Sequence, residues 1–327
     1  MRKLFIINIC ILSLAFLTGY DYLEEVKKPH ESSLSSAVRK ESVDSVKTLV
    51  YVGVETNHKT TTGQTPLTIA AKKGNVEIVE LLVEVGGANT NLRGPNGITP
   101  LMYASKYGYF DITQYLLNKG ANEKALDVKG KSALLYAVEN NQLDIAKLLV
   151  DMNPALLDFP DDNGYTPIIF AVKNGNLKFM EFLASKNVNI NKKDNMGHTP
   201  LMYACRYGDK KITSYLIRNK ADIEIRNNTG KTALLEAVLN DKYETTKLLV
   251  RKKADVNVKD NLGNTALIFA TKNDNIKIAK LLVKKDAEIN AMNDEKQTAL
   301  TFAIQHKNED MIELLRPSYK KFKKKRK

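Results

Sequence analysis

Apolar residues return along this chain in one fixed frame. Aligned on Leu67, the frame recurs at Leu101, Leu134, Ile168, Leu201, Leu234, Leu267 and Leu300, at intervals of 33 or 34 residues, and Leu34 extends it backward by another 33. Each interval holds two apolar sets. Leu67, Ala70, Ala71 and Gly74 share one arc at about 100° per residue, which predicts a short helix buried on that side. Ile78, Val79, Leu81 and Leu82 in one copy, and Ile145, Ala146, Leu148 and Leu149 in another, have the offsets of a second amphipathic helix. Thr65, Thr99, Thr166, Thr199, Thr232, Thr265 and Thr298, with Ser132 in one copy, stand where a side-chain oxygen caps the first helix. Pro66, Pro100, Pro167 and Pro200 suit its first position, which needs no N–H. Two residues before the cap come Gly63, Gly97, Gly130, Gly164, Gly197, Gly230 and Gly263, where a tight turn needs positive φ. Segments such as "KNVNINKKDNMG" return to the next turn. The unit is turn, helix, helix, extended return, and it cannot bury its apolar faces without stacked neighbours.

The stretch "GQTPLTIAAKKGNVEIVELLVEVGGAN" at 63–89 resembles the ankyrin repeat pattern over almost its whole length, and the resemblance covers about residues 32–316. It implies an all-α ankyrin repeat solenoid of about nine helix-turn-helix repeats of 33 to 34 residues with short β-turn fingers. The first repeat, near 32–62, is divergent, and a closing repeat lies near 294–316. One departure runs through the chain. Where the family often has His after "TPL", this sequence has Thr68, Met102, Leu135, Ile169, Met202, Leu235, Ile268 and Thr301. In the family that His helps tie neighbouring turns together, so stacking here is expected to lean more on apolar contact.

A longer period overlies the short one. "LMYASKYGYFDITQYL" (101–116) and "LMYACRYGDKKITSYL" (201–216) agree at 10 of 16 positions, against 6 for the former and its neighbour at 134–149. Copies three apart are most alike, which points to duplication of a three-repeat block. Surface features should then recur every third repeat, about 30 Å along a stack.

On the first helix, the arc opposite Leu67 is expected to line the concave surface. Its leading position reads Ile69, Tyr103, Tyr136, Phe170, Tyr203, Glu236, Phe269 and Phe302. One turn further on stand Lys106 with Tyr107, Lys173, Arg206 with Tyr207, and Lys272, within reach on the same face. Rings interleaved with cations predict a groove for a partner protein with apolar and acidic groups. The plainer alternative is rings packed between first helices and lysines that are merely solvated. Among the turn-tip residues, Ile98, Tyr165 and His198 are further partner-binding candidates. The stretch "DMNPALLDFPDDNGYTP" (151–167) breaks the frame, and Leu157 and Phe159 within it either staple the loop to the body or offer a knob to a partner.

Charge and composition alter this picture mainly at the ends. The net charge is +13, but Arg2, Lys3 and seven cations in the last eleven residues account for most of it. Residues 1–19 read as a signal peptide, with an apolar run over 4–17 too short for the ~20 residues of a spanning helix. The alternative is an uncleaved anchor. A linker follows at 20–31. The expected location is exported, periplasmic or extracellular. The basic tail at 317–327, with Lys320 to Lys327 and interspersed Tyr319 and Phe322, suits weak contact with an anionic membrane, nucleic acid being the poorer fit for an exported chain.

Once a signal is removed only Cys205 remains, in a small-residue slot shared with Ala71 and Ser105, so no disulfide is expected. His30, His58, His198 and His306 have no metal spacing, and no nucleophile motif or phosphate loop appears. The sequence therefore reads as a non-enzymatic protein-binding module without cofactor or metal, or alternatively as a membrane-associated scaffold held by the tail or by an uncleaved N-terminal segment.

Overall fold

Side-chain oxygens at the head of the first helices fix where those helices begin. Thr65, Thr99, Ser132, Thr199, Thr232, Thr265 and Thr298 each accept the N–H three residues on. Thr166 does not; its hydroxyl is buried without a hydrogen-bond partner, and Pro167 alone marks that start. The seven turn glycines all have φ between 71° and 81°. At Gly197 the space is restrictive too, since a Cβ there would lie 2.7 Å from the backbone nitrogen of Asn228 in the next turn.

The computed structural model describes residues 31–316, which fall into two compact units meeting in sequence at Asn153 and Pro154. The first contains α1 (Glu31–Arg39), α2 (Val43–Tyr51), α3 (Pro66–Lys73), α4 (Val76–Glu80), α5 (Pro100–Tyr107), α6 (Phe110–Asn118), α7 (Ala133–Glu139) and α8 (Leu143–Met152). Its first helices pack in the order α1, α3, α5, α7 and its second helices in the order α2, α4, α6, α8. The second contains α9 (Pro167–Lys173), α10 (Leu177–Ala184), α11 (Pro200–Tyr207), α12 (Lys210–Arg218), α13 (Ala233–Leu239) and α14 (Tyr243–Arg251). It ends with α15 (Ala266–Lys272), α16 (Ile276–Lys284), α17 (Ala299–Gln305) and α18 (Glu309–Leu315), again with odd helices on odd and even on even. The described residues thus hold 18 α-helices in nine pairs and no strand. None of these helices is long and apolar enough to cross a membrane. The export segment, most of the linker and the basic tail lie outside the described residues.

The two 34-residue intervals each have a local cause. In the first, α4 runs on into a π-helical turn, Leu81–Val85, which takes up the extra residue and ends at Gly86. A Cβ on Gly86 would lie 2.5 Å from the Thr56 methyl group, and Thr56 Oγ1 donates to the Gly86 carbonyl at 2.6 Å. In the second, a 3₁₀ turn over Pro154–Asp158 opens the second unit and packs on α9. It buries Leu157, as the staple reading expects, together with Leu156, while Phe159 is half-buried.

Apolar residues fill the core, as the buried leucines, valines and alanines show, and polar ties between repeats accompany them. Backbone N–H groups tie several fingers to the next: Val128 to Asn96 at 2.9 Å in the first unit, and Asn195 to Asn163 at 3.0 Å and Asn228 to Met196 at 3.1 Å in the second. Along the returns, Asn57 and Asn91 accept the N–H groups of Asn89 and Asn122 at 2.8 and 2.7 Å, and Asn191 and Asn257 do the same for Asp222 and Glu288. Main-chain amides and asparagines supply those ties.

Candidate functional site

Helices of seven or eight residues leave little of their length uncovered. Tyr103, Tyr136, Phe170, Tyr203 and Phe269 are only 4 to 7% exposed, and Ile69 and Phe302 are buried with them, so this column does not line an open groove. A helical wheel misplaces these residues because it omits what packs on them, the neighbouring first helices and, at Tyr136 and Tyr203, the finger. Two of the rings brace that finger directly. The Tyr136 hydroxyl donates to Asp127 Oδ2 at 2.7 Å, and the Tyr203 hydroxyl to Asp194 Oδ2 at 2.6 Å. Each aspartate uses its other oxygen to accept two backbone N–H groups of the turn, those of Lys129 and Lys131 or of Met196 and His198. Burial first, and then the bond to aspartate, pushes both phenols well above their ordinary range.

Among the rings of the described first helices, Tyr107 and Tyr207 reach solvent, 40% and 50% exposed, in the last turns of α5 and α11. Each stacks on the buried ring one turn back: Tyr107 on Tyr103 with centroids 6.4 Å apart and 4° between planes, Tyr207 on Tyr203 at 6.3 Å and 24°. Gly108 and Gly208 follow in the left-handed conformation and end the helices there. Half-buried Lys106 places its ammonium 5.4 Å from the Tyr107 ring centre. In the second unit, Lys173 covers the Tyr165 ring at 3.6 Å and lies 5.4 Å from that of Tyr203. Tyr165 meets Phe170 and Tyr203 edge-on at 5.7 and 6.0 Å. Lys272 is exposed, 5.8 Å from the Phe302 ring centre.

The place of a ring on α13 is taken by Glu236, 2% exposed. Arg206 Nε donates to Glu236 Oε2 at 3.0 Å, and Asn227 Nδ2 to Oε1 at 3.2 Å. The Arg206 guanidinium and the Asn227 amide also reach His198 Nε2, at 2.8 and 3.0 Å. Asn227 Oδ1 accepts two turn N–H groups, which fixes the orientation of its amide. Asp194 Oδ1 lies 3.7 Å from His198 Nδ1, and Glu236 Oε1 lies 3.4 Å from its Nε2. Burial raises the Glu236 carboxyl, but the bonds with His198 and Arg206 outweigh it and the net shift is downward. Burial likewise lowers the Arg206 guanidinium, and its pairing with Glu236 more than offsets this. His198, expected at a turn tip, is thus buried at 8% exposure within this network. Ile98 is half-buried, its carbonyl accepting from Gly94.

A family model of ankyrin repeats, three copies, matches residues 34–127, 123–194, 190–260 and 240–326. The chain belongs to the ankyrin repeat family. Ankyrin repeats are generally protein–protein interaction modules, and the family is typically non-enzymatic. No curated protein matches the chain.

Two features of these ankyrin fingers escape the sequence reading. Met196 and Leu262 stand at finger crests with 57% and 66% exposure, and their only signal is an apolar residue between Asn and Gly in "NMG" and "NLG". The buried acid Glu236 is visible only as a break in a column of rings. Cys205 is fully buried, with its sulfur 4.0 Å from Thr213 Oγ1, and burial raises its thiol far above the ordinary range. Among the described residues no three His, Cys, Asp or Glu side chains are grouped to hold a metal ion.

Proposed function

We propose that this ankyrin chain is a non-enzymatic module that binds partner protein through the first-helix face of each unit, with Tyr107 and Lys106 in the first and Tyr207, Arg206, Lys173 and Tyr165 in the second. The supporting observation is that Tyr107 and Tyr207 expose large rings the core does not use, at the same place in two near-identical phrases. A rigid aromatic ring beside a cation gives area and charge selectivity at low entropic cost, which favours a partner segment with apolar and acidic side chains. Met196 and Leu262 extend the apolar area to the fingers. The six buried rings and His198 act as its scaffold.

A photoreactive phenylalanine at position 207 of the full chain is expected to crosslink one partner chain in far higher yield than the same residue at Tyr51, which is 56% exposed on α2. Equal yields at the two positions would count against the groove. A second reading, a membrane-associated scaffold held by Lys320 to Lys327 or by an uncleaved 4–17 segment, draws support from the charge of the second helices in the second unit. The export signal and the periplasmic or extracellular location remain part of this proposal.

A further inference from the structure

The second helices of the two units carry opposite charge. In the first unit α2, α4 with its π turn, α6 and α8 hold seven acids and two cations; in the second, α10, α12, α14 and α16 hold nine cations and two acids, and the closing α18 holds three acids, Glu309, Asp310 and Glu313. The cations are in register. Arg218, Arg251 and Lys284 occupy one place in three consecutive repeats, and Lys247 and Lys280 another in two of them. All five are exposed, and among the described residues none is within ion-pair distance of an acid; the ion pair on this face is Lys210 with Glu244 at 2.9 Å. Adjacent second helices lie about 10 Å apart, so the file at Arg218, Arg251 and Lys284 spans about 20 Å. No single carboxylate or phosphate reaches all of it.

We propose that this face of α12, α14 and α16 docks on the surface of an anionic lipid bilayer. The inference deepens the second reading above, and does not require the tail to act alone. Two other polyanions fit less well. A second copy could offer Glu77, Asp111 and Asp144, which also share one place in three repeats, but exposed ion pairs each add less than about fivefold and salt screens them. A bilayer engages every cation on the face together, each adding about fivefold to partitioning, and the seven cations after Arg316 would add to the same contact. Nucleic acid matches the charge, but an apolar run near the N-terminus points to a chain made at a membrane.

The test is co-sedimentation of the full chain with vesicles of phosphatidylcholine alone or with phosphatidylserine, at about 0.1 M salt. The parent is expected to bind the anionic vesicles more tightly, and Arg218→Gln with Arg251→Gln and Lys284→Gln is expected to lose about a hundredfold of that affinity. Its melting curve should be unchanged, because all three side chains are exposed. Lys47→Gln with Lys147→Gln, on the first unit's second helices, should bind as the parent does. Equal binding of the parent to both vesicles, or parent-like binding of the triple variant, would overturn the proposal. So would a short DNA duplex that binds the chain more tightly than the vesicles do, or self-association without vesicles that the triple variant abolishes. Crosslinking at position 207 reads a different face, so either proposal can fail alone.

Discussion

The phrase "TPLMYASKYG" in the first unit and "TPLMYACRYG" in the second build the same helix, the same glycine end and the same outward pair of stacked rings, on different foundations. In the second unit Tyr203 is tied to Asp194; in the first the matching place is Gly94, and Tyr103 has no carboxylate to bond. One repeat further on, the first unit pairs Asp127 with Tyr136, while the second has Asn227 and Glu236. The acid has moved from finger to helix and the donor from helix to finger, and Arg206 in place of Lys106 reaches the relocated charge. The exposed ring is the same in the two phrases, while the buried polar pair one repeat further on differs. That is the pattern expected if the ring carries the function and the pair need only satisfy itself.

The largest effect should come from breaking the relocated pair. Glu236→Ala leaves Arg206 and Asn227 facing an empty, buried carboxylate site and is expected to cost about 2–4 kcal/mol, the guanidinium being partly solvated. Hydrogen exchange of α11 and α13 amides reads this locally, which matters in a repeat array where unfolding need not be all-or-none. The pH dependence follows from the lowered Glu236 carboxyl. The unfolded chain holds its proton at a higher pH than the folded one, so this stabilisation is complete above the ordinary carboxylate range and fades as pH falls through the lower folded value. Glu236→Gln should flatten that acid loss in α11 and α13. An unchanged acid profile would mean that Glu236 is not the group responsible.

The hydroxyls give a middle-sized contrast between the units. Tyr203→Phe strands a carboxylate oxygen of buried Asp194 and should cost about 1–3 kcal/mol, whereas Tyr103→Phe should stay within about 0.5 kcal/mol. Comparable losses in thermal denaturation would show that finger bracing does not distinguish the copies.

The fold was legible because its signals are local and repeated. Thr199, Pro200 and Gly197 each state a backbone requirement, and each recurs at a fixed interval. The site was less legible because it depends on what covers a helix seven or eight residues long. The wheel put Tyr103 and Tyr203 opposite Leu67-type residues correctly, but the neighbouring structure packed over them makes that side interior. Tyr107 and Tyr207 lie one turn beyond its reach, which periodicity does not encode. His198 was misread for the same reason: its place beside the turn suggests exposure, but its ring folds back toward Glu236, whose partnership joins residues 38 positions apart.

The smallest effect on stability, and the sharpest test of the comparison, belongs to the exposed rings. Tyr207→Ala removes a ring that stacks on Tyr203, and Tyr107→Ala one that stacks on Tyr103 and also meets Tyr109 at 6.2 Å, so each should cost no more than about 0.5–1.5 kcal/mol, partly offset by alanine's helix propensity. Because neither hydroxyl braces a finger, the two losses should differ by no more than the Tyr109 contact, unlike those at Tyr103 and Tyr203. Partner capture should respond the other way: Tyr203→Phe should leave it intact at temperatures where the unit is folded, and Tyr207→Ala should reduce it sharply. If Tyr207→Ala instead melts the second unit as readily as Glu236→Ala does, the ring belongs to the foundation, and its preservation between the copies reflects packing.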